Sequence, residues 1–180
     1  PDVPGPRKKK EERNERPDRG IETMFRITSG NNQRLSDMAD NKAQIMITVN
    51  SIILSAIISL LLRKLEENAF LQWPTYLMLA TSMLTIVFSI LATRPNLPAG
   101  TFTQQDIDDK KVNLLFFGNF FRMNLDDYTA GMLQVMEDRN FLYRTLIKDV
   151  YSQGVVLGRK YKLLRISYNI FMYGLVASVI

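Results

Sequence analysis

AQIMITVNSIILSAIISLLL, residues 43–62, and PTYLMLATSMLTIVFSILAT, residues 74–93, decide how this chain folds. Each is 20 residues long and holds no Asp, Glu, Lys or Arg. A helix needs about 20 mainly apolar residues to cross the hydrocarbon of a bilayer. With no water there to satisfy the backbone, such runs span as helices whose N–H and C=O groups pair internally. The two runs, joined by residues 63–73, predict a transmembrane helical hairpin. The fold class is an all-α membrane protein.

Working outward, the composition of 46% hydrophobic and 23% charged residues over 180 positions hides strong segregation, because every charge lies outside these two runs. A third uncharged stretch, residues 166–180, follows Arg159, Lys160, Lys162 and Arg165. It is shorter than the usual ~20-residue span and reads as a third span that the chain's last residue cuts off, with a buried soluble helix as the alternative. The chain also begins at Pro1 rather than Met, so we read it as a piece of a longer protein. There is no secretory signal pattern, since the first apolar run comes late and is too long.

Cysteine and histidine are both absent. This excludes disulfides, thiolate catalysis and Cys-ligated metal, and it removes the commonest general base and metal ligand. No catalytic, cofactor or metal site is expected in these residues. The best carboxylates, Asp106, Asp108 and Asp109, read as a solvated helix start.

Residues 1–20 carry Pro, Arg, Lys and Glu with almost nothing apolar, and predict a charged, disordered linker. Its cluster Arg7-Lys8-Lys9-Lys10 suits anionic head groups but reads better as solvated linker, diluted by Glu11, Glu12 and Glu15. Residues 21–180 form the membrane domain. Within it residues 21–42 are amphipathic, with Ile21, Phe25, Ile27, Leu35 and Met38 apolar and Gly30-Asn31-Asn32 interrupting. Trp73 and Tyr76 sit where aromatic belts form, and Arg94-Pro95 stops the second span.

Residues 94–165 predict a helical polar region. Thr103 is an N-cap with Asp106 at the third helical position, opening a short helix to about Val112. Residues 113–121, with Phe116, Phe117, Phe120 and Phe121, read as a strand-like or looped segment that either anchors at the interface or packs on the hairpin's base. Asn124 caps a long helix, with Asp126 and Asp127 favoured in its first turn. Met132, Val135, Met136, Leu142, Leu146, Val150 and Leu157 recur along it at helical spacing as a core or oligomer face. Gly154 and Gly158 weaken it and open a route for close helix approach.

The spans carry polar faces. Gln44, Thr48, Ser51, Ser55 and Ser59 share one side of the first helix, with Asn50 beside them. Thr81, Thr85 and Ser89 repeat every four residues in the second. Small hydroxyl residues let membrane helices approach and hydrogen-bond. These faces either pack the two spans together or line a polar path in a homo-oligomer, although no ionisable residue inside the spans marks a pore.

Lys and Arg number 10 in residues 1–42, 2 in residues 63–73 and 11 in residues 94–165. Cytoplasmic flanks hold the excess of positive charge. The N-terminal segment and the 94–165 region are therefore expected in the cytoplasm, with the link outside.

Leu35-Ser36-Asp37-Met38-Ala39-Asp40-Asn41-Lys42-Ala43, followed by Asn50-Ser51, resembles the Pycsar transmembrane effector family, whose pattern is an Asp-x-Lys-Ala entry into the first span with an Asn deeper in it. Here these are Asp40, Lys42, Ala43 and Asn50. Leu91-Ala92-Thr93-Arg94-Pro95-Asn96, Asn113-Leu114-Leu115-Phe116-Phe117-Gly118-Asn119-Phe120 and Val156-Leu157-Gly158-Arg159-Lys160-Tyr161 are similar too, and the resemblance covers roughly residues 19–180.

The variety it most resembles carries an HD-type phosphohydrolase domain ahead of a charged linker. The resemblance implies a bacterial antiphage effector in the inner membrane. An upstream nucleotide cyclase makes cyclic CMP or cyclic UMP on infection, and the effector then impairs the membrane, an abortive infection. The alternative is a passive anchor and oligomerisation module for the N-terminal enzyme. The expected partners are the lipid bilayer, further copies of the chain and the cyclase through its product, with no nucleic acid. From the residues alone, Asp40 suits a helix start, Lys42 can snorkel, and Asn50 needs a hydrogen-bond partner.

Overall fold

The computed structural model describes residues 6–61, 69–95, 102–109 and 112–180. Residue 62 at the end of the first span, residues 63–68 of the link and the predicted helix end at 110–111 lie outside them. Among the described residues the chain is helical and has no strand. Helix α1 spans Pro6–Ala56 and ends in a π-helical turn, Ile57–Leu61. A 3-10 turn, Ala69–Leu71, leads into α2, Gln72–Thr93. Then come α3, Gln104–Asp108, a 3-10 turn at Phe117–Asn119, α4, Leu125–Glu137, and α5, Arg139–Val179.

Helix α1 runs through residues 6–20, where a disordered linker is expected, and through Gly30-Asn31-Asn32 without a break. The physical reason lies in its residues: Arg, Lys and Glu are good helix formers, and Pro6 occupies the first helical position, where its missing N–H costs nothing. Helix α3 forms behind the expected cap. Thr103 Oγ1 accepts from the Asp106 N–H, and the Asp106 carboxylate accepts from the Thr103 N–H at 2.9 Å, a reciprocal capping box. The helix ends at Asp108, short of Val112.

Residues 113–121 form a loop with one 3-10 turn rather than a strand. Asn124 caps α4, its Oδ1 accepting from the Asp127 N–H at 2.8 Å. The single long helix predicted from there is two: Asp138 interrupts it with extended backbone, and its Oδ1 accepts from the N–H groups of Asn140 and Phe141. A carboxylate that takes over the first free N–H groups of a new helix competes with continuation of the old one. The second of these helices then continues without interruption from Arg139 through residues 166–179.

The chain forms two compact units. One comprises Pro1–Gln33 with Leu97–Gly154. Its core is Ile107, Val112, Leu114, Val135 and Phe141, with Phe102, Met132 and Leu142 against it. Of the predicted stripe, Val135 is at the centre while Met136 is exposed. A polar network ties its helices together. Gln153 Nε2 donates to Ser29 Oγ at 3.1 Å and to Asp149 Oδ2 at 2.7 Å, and Asn113 Nδ2 donates to Asp149 Oδ1 at 3.1 Å.

The other unit is Arg34–Asn96 with Val155–Ile180. It holds both predicted spans and the third apolar stretch. Two helical stretches, Arg19–Ser59 and Ala69–Thr93, are long and apolar enough to cross a membrane.

Candidate functional site: the polar interior of the membrane bundle

Within the second unit, α2 is built the wrong way round for water. On α2 the buried side chains are Thr75, Thr81, Ser82, Thr85, Ser89 and Ala92. Its exposed ones include Leu77, Met83, Leu84, Val87, Ile90 and Leu91. A helix at the surface of a soluble protein does the reverse, turning its apolar stripe inward. The same inversion holds on the last part of α5, where Ser167 is buried while Met172, Tyr173, Val176 and Val179 are exposed. Helix α1 differs: Ile45, Val49 and Ile52 are exposed beside Gln44, Thr48, Ser51 and Ser55, and its buried side is Ala39, Ala43, Met46 and Asn50. Hydroxyl groups inside and hydrocarbon outside suit a lipid surround, where interhelical hydrogen bonds and close packing hold helices together. Phe70, Trp73 and Tyr76 gather at one end of α2, with Trp73 83% exposed, the placement of an interfacial aromatic belt.

The contact between α2 and α5 is made of these hydroxyls. Ser89 and Ser167 share a hydrogen bond of 2.7 Å between their Oγ atoms, and Ser167 Oγ donates to the Thr85 carbonyl at 3.0 Å. Thr85 Oγ1 turns back to the Thr81 carbonyl at 2.7 Å. Gly174 lies so close to Thr81 that a Cβ there would fall on the Thr81 side chain. Gly154 and Gly158, the glycines singled out in the sequence for close approach, face open space instead. Gly174 sits amid a bulky run, Met172-Tyr173-Gly174-Leu175, and that was its only signal.

The predicted entry motif divides. Ala43 is fully buried and packs with Ala39, Leu164 and Tyr161, bringing α1 against α5. Asp40 meets Lys160: the ammonium donates to Asp40 Oδ1 at 2.8 Å and Oδ2 at 2.6 Å, and to Ser36 Oγ at 2.8 Å. All three donors of the lysine are thereby used. Beside them Tyr161 OH donates to the Leu35 carbonyl at 3.3 Å. Lys42 is exposed, free to reach toward head groups.

Asn50 is fully buried. It lies on the inward side of α1 with Ala39, Ala43 and Met46, not beside the Gln44–Ser59 face as expected. Its Nδ2 donates to the Met46 carbonyl at 2.8 Å, and its Oδ1 has no partner among the described residues. Ser82 Oγ is likewise buried and unpaired among them.

The two predicted polar faces also have different fates. Thr81, Thr85 and Ser89 are buried within the bundle, whereas Gln44, Thr48, Ser51, Ser55 and Ser59 on α1 are exposed. Of the two alternatives for these faces, packing of one on the other is not seen among the described residues. Sequence reasoning missed Lys160, Ser36, Ser82, Ser167 and Gly174. Lys160 and Ser36 each lie in a segment that carries the family resemblance, but nothing in the sequence pairs segments more than a hundred residues apart.

In the first unit a cleft of about 380 Å³ is lined by residues that include Phe102, Asn113, Asn119, Lys148 and Tyr151. Its amides are occupied in holding the loop: Asn119 Nδ2 donates to the Asn113 carbonyl at 2.7 Å, and Asn113 Oδ1 accepts from the Leu115 N–H at 3.0 Å. Among the described residues no group of three or more His, Cys, Asp or Glu side chains could hold a metal ion.

No curated protein and no solved structure matches the chain. The model of the Pycsar effector protein domain matches residues 23–180, taking in the Asp40–Lys160 pair, Asn50 and the whole hydroxyl-lined contact. With more than half of its length matched, the chain belongs to the Pycsar effector protein domain family.

Proposed function

We propose that this domain is the membrane effector of a Pycsar antiphage defence system, and that on activation it impairs the inner membrane of the infected cell, an abortive response. Family membership supports the role in defence. The observation that carries the membrane action is the inverted bundle, with Thr81, Ser82, Thr85, Ser89 and Ser167 inside and apolar side chains outside. Such an interior suits helices that pack against one another in lipid, where hydroxyls hydrogen-bond across the contact. The trigger in this reading is cyclic CMP or cyclic UMP from the upstream cyclase, acting on the full-length protein. The chain itself performs no catalysis.

The test follows membrane potential in cells carrying the full-length protein and its cyclase during phage infection. Depolarisation before lysis is the expected result. A normal potential with phage protection intact overturns membrane impairment and leaves a passive anchor for an N-terminal enzyme domain.

Orientation is part of the proposal. The 10:2:11 distribution of Lys and Arg over residues 1–42, 63–73 and 94–165 supports a reading with the first and last groups on the cytoplasmic side. Asn68→Cys, in a chain with no other cysteine, is expected to react with an impermeant maleimide added outside spheroplasts. Reaction only after the cytoplasmic side is opened would reverse the topology.

A further inference from the structure

We propose that the outward polar face of α1, centred on Gln44, Thr48, Ser51 and Ser55, is the surface through which copies of this chain meet in the membrane. The inference rests on the reading that this part of α1 lies in lipid, and it assigns one helix face to the contact between copies.

The three helices of the bundle do not present the same exterior. Helix α2 turns Met83, Leu84, Val87, Ile90 and Leu91 outward, and α5 turns Met172, Tyr173, Val176 and Val179 outward. The α2 surface matches acyl chains, and α5 adds the exposed polar groups of Tyr168, Asn169 and Tyr173 to a mainly apolar exterior. Among the described residues, the longest exposed polar strip in the bundle is on α1, where Gln44, Thr48, Ser51, Ser55 and Ser59 recur along one side. Ser55 satisfies its own hydroxyl by donating to the Ser51 carbonyl at 2.9 Å. The Gln44 amide and the Thr48 hydroxyl have no hydrogen-bond partner among the described residues. Lipid tails offer none, and a polar group left unpaired in hydrocarbon costs several kcal/mol.

A second copy fits this face better than any other occupant. Hydroxyls and carboxamides carry both donors and acceptors, so the strip is complementary to itself. Copies inserted with one topology present it at one depth and in one direction, which sets like residues opposite like. Asn41, Gln44, Ile45, Thr48 and Val49 lie together along this outward side of α1. Small Ser51 and Ser55 one and two turns further on allow the backbones to approach. The bundle already treats its other hydroxyl face in this way, closing Thr81, Thr85 and Ser89 against α5.

Disulfide trapping in native membranes tests the assignment, since the chain has no cysteine of its own. Thr48→Cys, Ser55→Cys and Val87→Cys are each placed singly in the full-length protein, at native expression, and oxidised. Covalent dimer is expected from Thr48→Cys and Ser55→Cys at several times the yield from Val87→Cys, which lies on the apolar exterior of α2. Equal yields at all three positions, a higher yield at Val87→Cys, or no dimer at any position would overturn the proposal. Potential recorded in the same cells keeps the two readings apart. Trapping without depolarisation during infection supports the contact while removing membrane impairment. Depolarisation without trapping removes the contact alone.

Discussion

Gly174→Val is expected to separate α2 from α5 and to remove most of the folded protein from the membrane. A Cβ at position 174 would clash with Oγ1, Cγ2 and Cβ of Thr81. Thr81 is β-branched and buried, so its side chain has little rotamer freedom with which to withdraw. The backbones must part instead. Overpacking of this kind costs about 1–3 kcal/mol, and the Ser89–Ser167 and Ser167–Thr85 hydrogen bonds go with it, at roughly 0.6 kcal/mol each by membrane double-mutant cycles. Melting of the detergent-solubilised protein, followed by gel filtration, should drop by many degrees for Gly174→Val. Thr81→Ala should restore part of the loss by clearing Oγ1 and Cγ2. Gly158→Ala serves as the control. Nothing lies within 4 Å of its added Cβ, and replacing a helical glycine gains about 1 kcal/mol of propensity. Equal melting of Gly174→Val and the parent protein would mean the close approach is not a determinant of the fold.

That contact also shows where sequence reading reached its limit. Which residues share a helix face follows from a period of 3.6, so the Gln44–Ser59 and Thr81–Ser89 faces were both legible. Which way a face points is a tertiary fact. Both faces have the same hydroxyl chemistry, yet one is closed by Ser167 and the other is open. Local chemistry was read well at Thr103 and Asn124, because an N-cap is decided within four residues. The same logic was available at Asp138, followed by Arg139-Asn140-Phe141, but the apolar periodicity that continues across it masked the break. The charged stretch at 6–20 carries opposite tendencies, few apolar side chains to bury and many good helix formers, and composition alone does not rank them. Apolar runs of 20 residues are a far less ambiguous signal, which is why the described residues of the two spans, 43–61 and 74–93, fall within helical segments while the polar regions needed correction.

Asp40 and Lys160, 120 residues apart in sequence, should behave as one unit when either is replaced. Asp40→Ala is expected to destabilise more than Lys160→Met. Removing the carboxylate strands an ammonium whose side chain is only 16% exposed and leaves it a single bond to Ser36. Removing the lysine strands a carboxylate that is 40% exposed and can recruit water. Breaking a fully buried pair costs about 3–5 kcal/mol. Partial exposure here brings the expected loss to roughly 1–2 kcal/mol for Asp40→Ala and less for Lys160→Met. The Asp40→Ala/Lys160→Met double variant should be more stable than the sum of the two losses predicts, because neither charge is left alone. A double-mutant cycle on detergent melting measures this coupling directly. Additive losses would show that the two side chains make their contributions separately and that the pair does not hold α1 to α5. A coupled result ties the Asp-x-Lys-Ala entry to α5 through its aspartate, so that Asp40 fixes the helix while the exposed Lys42 remains available to the membrane surface.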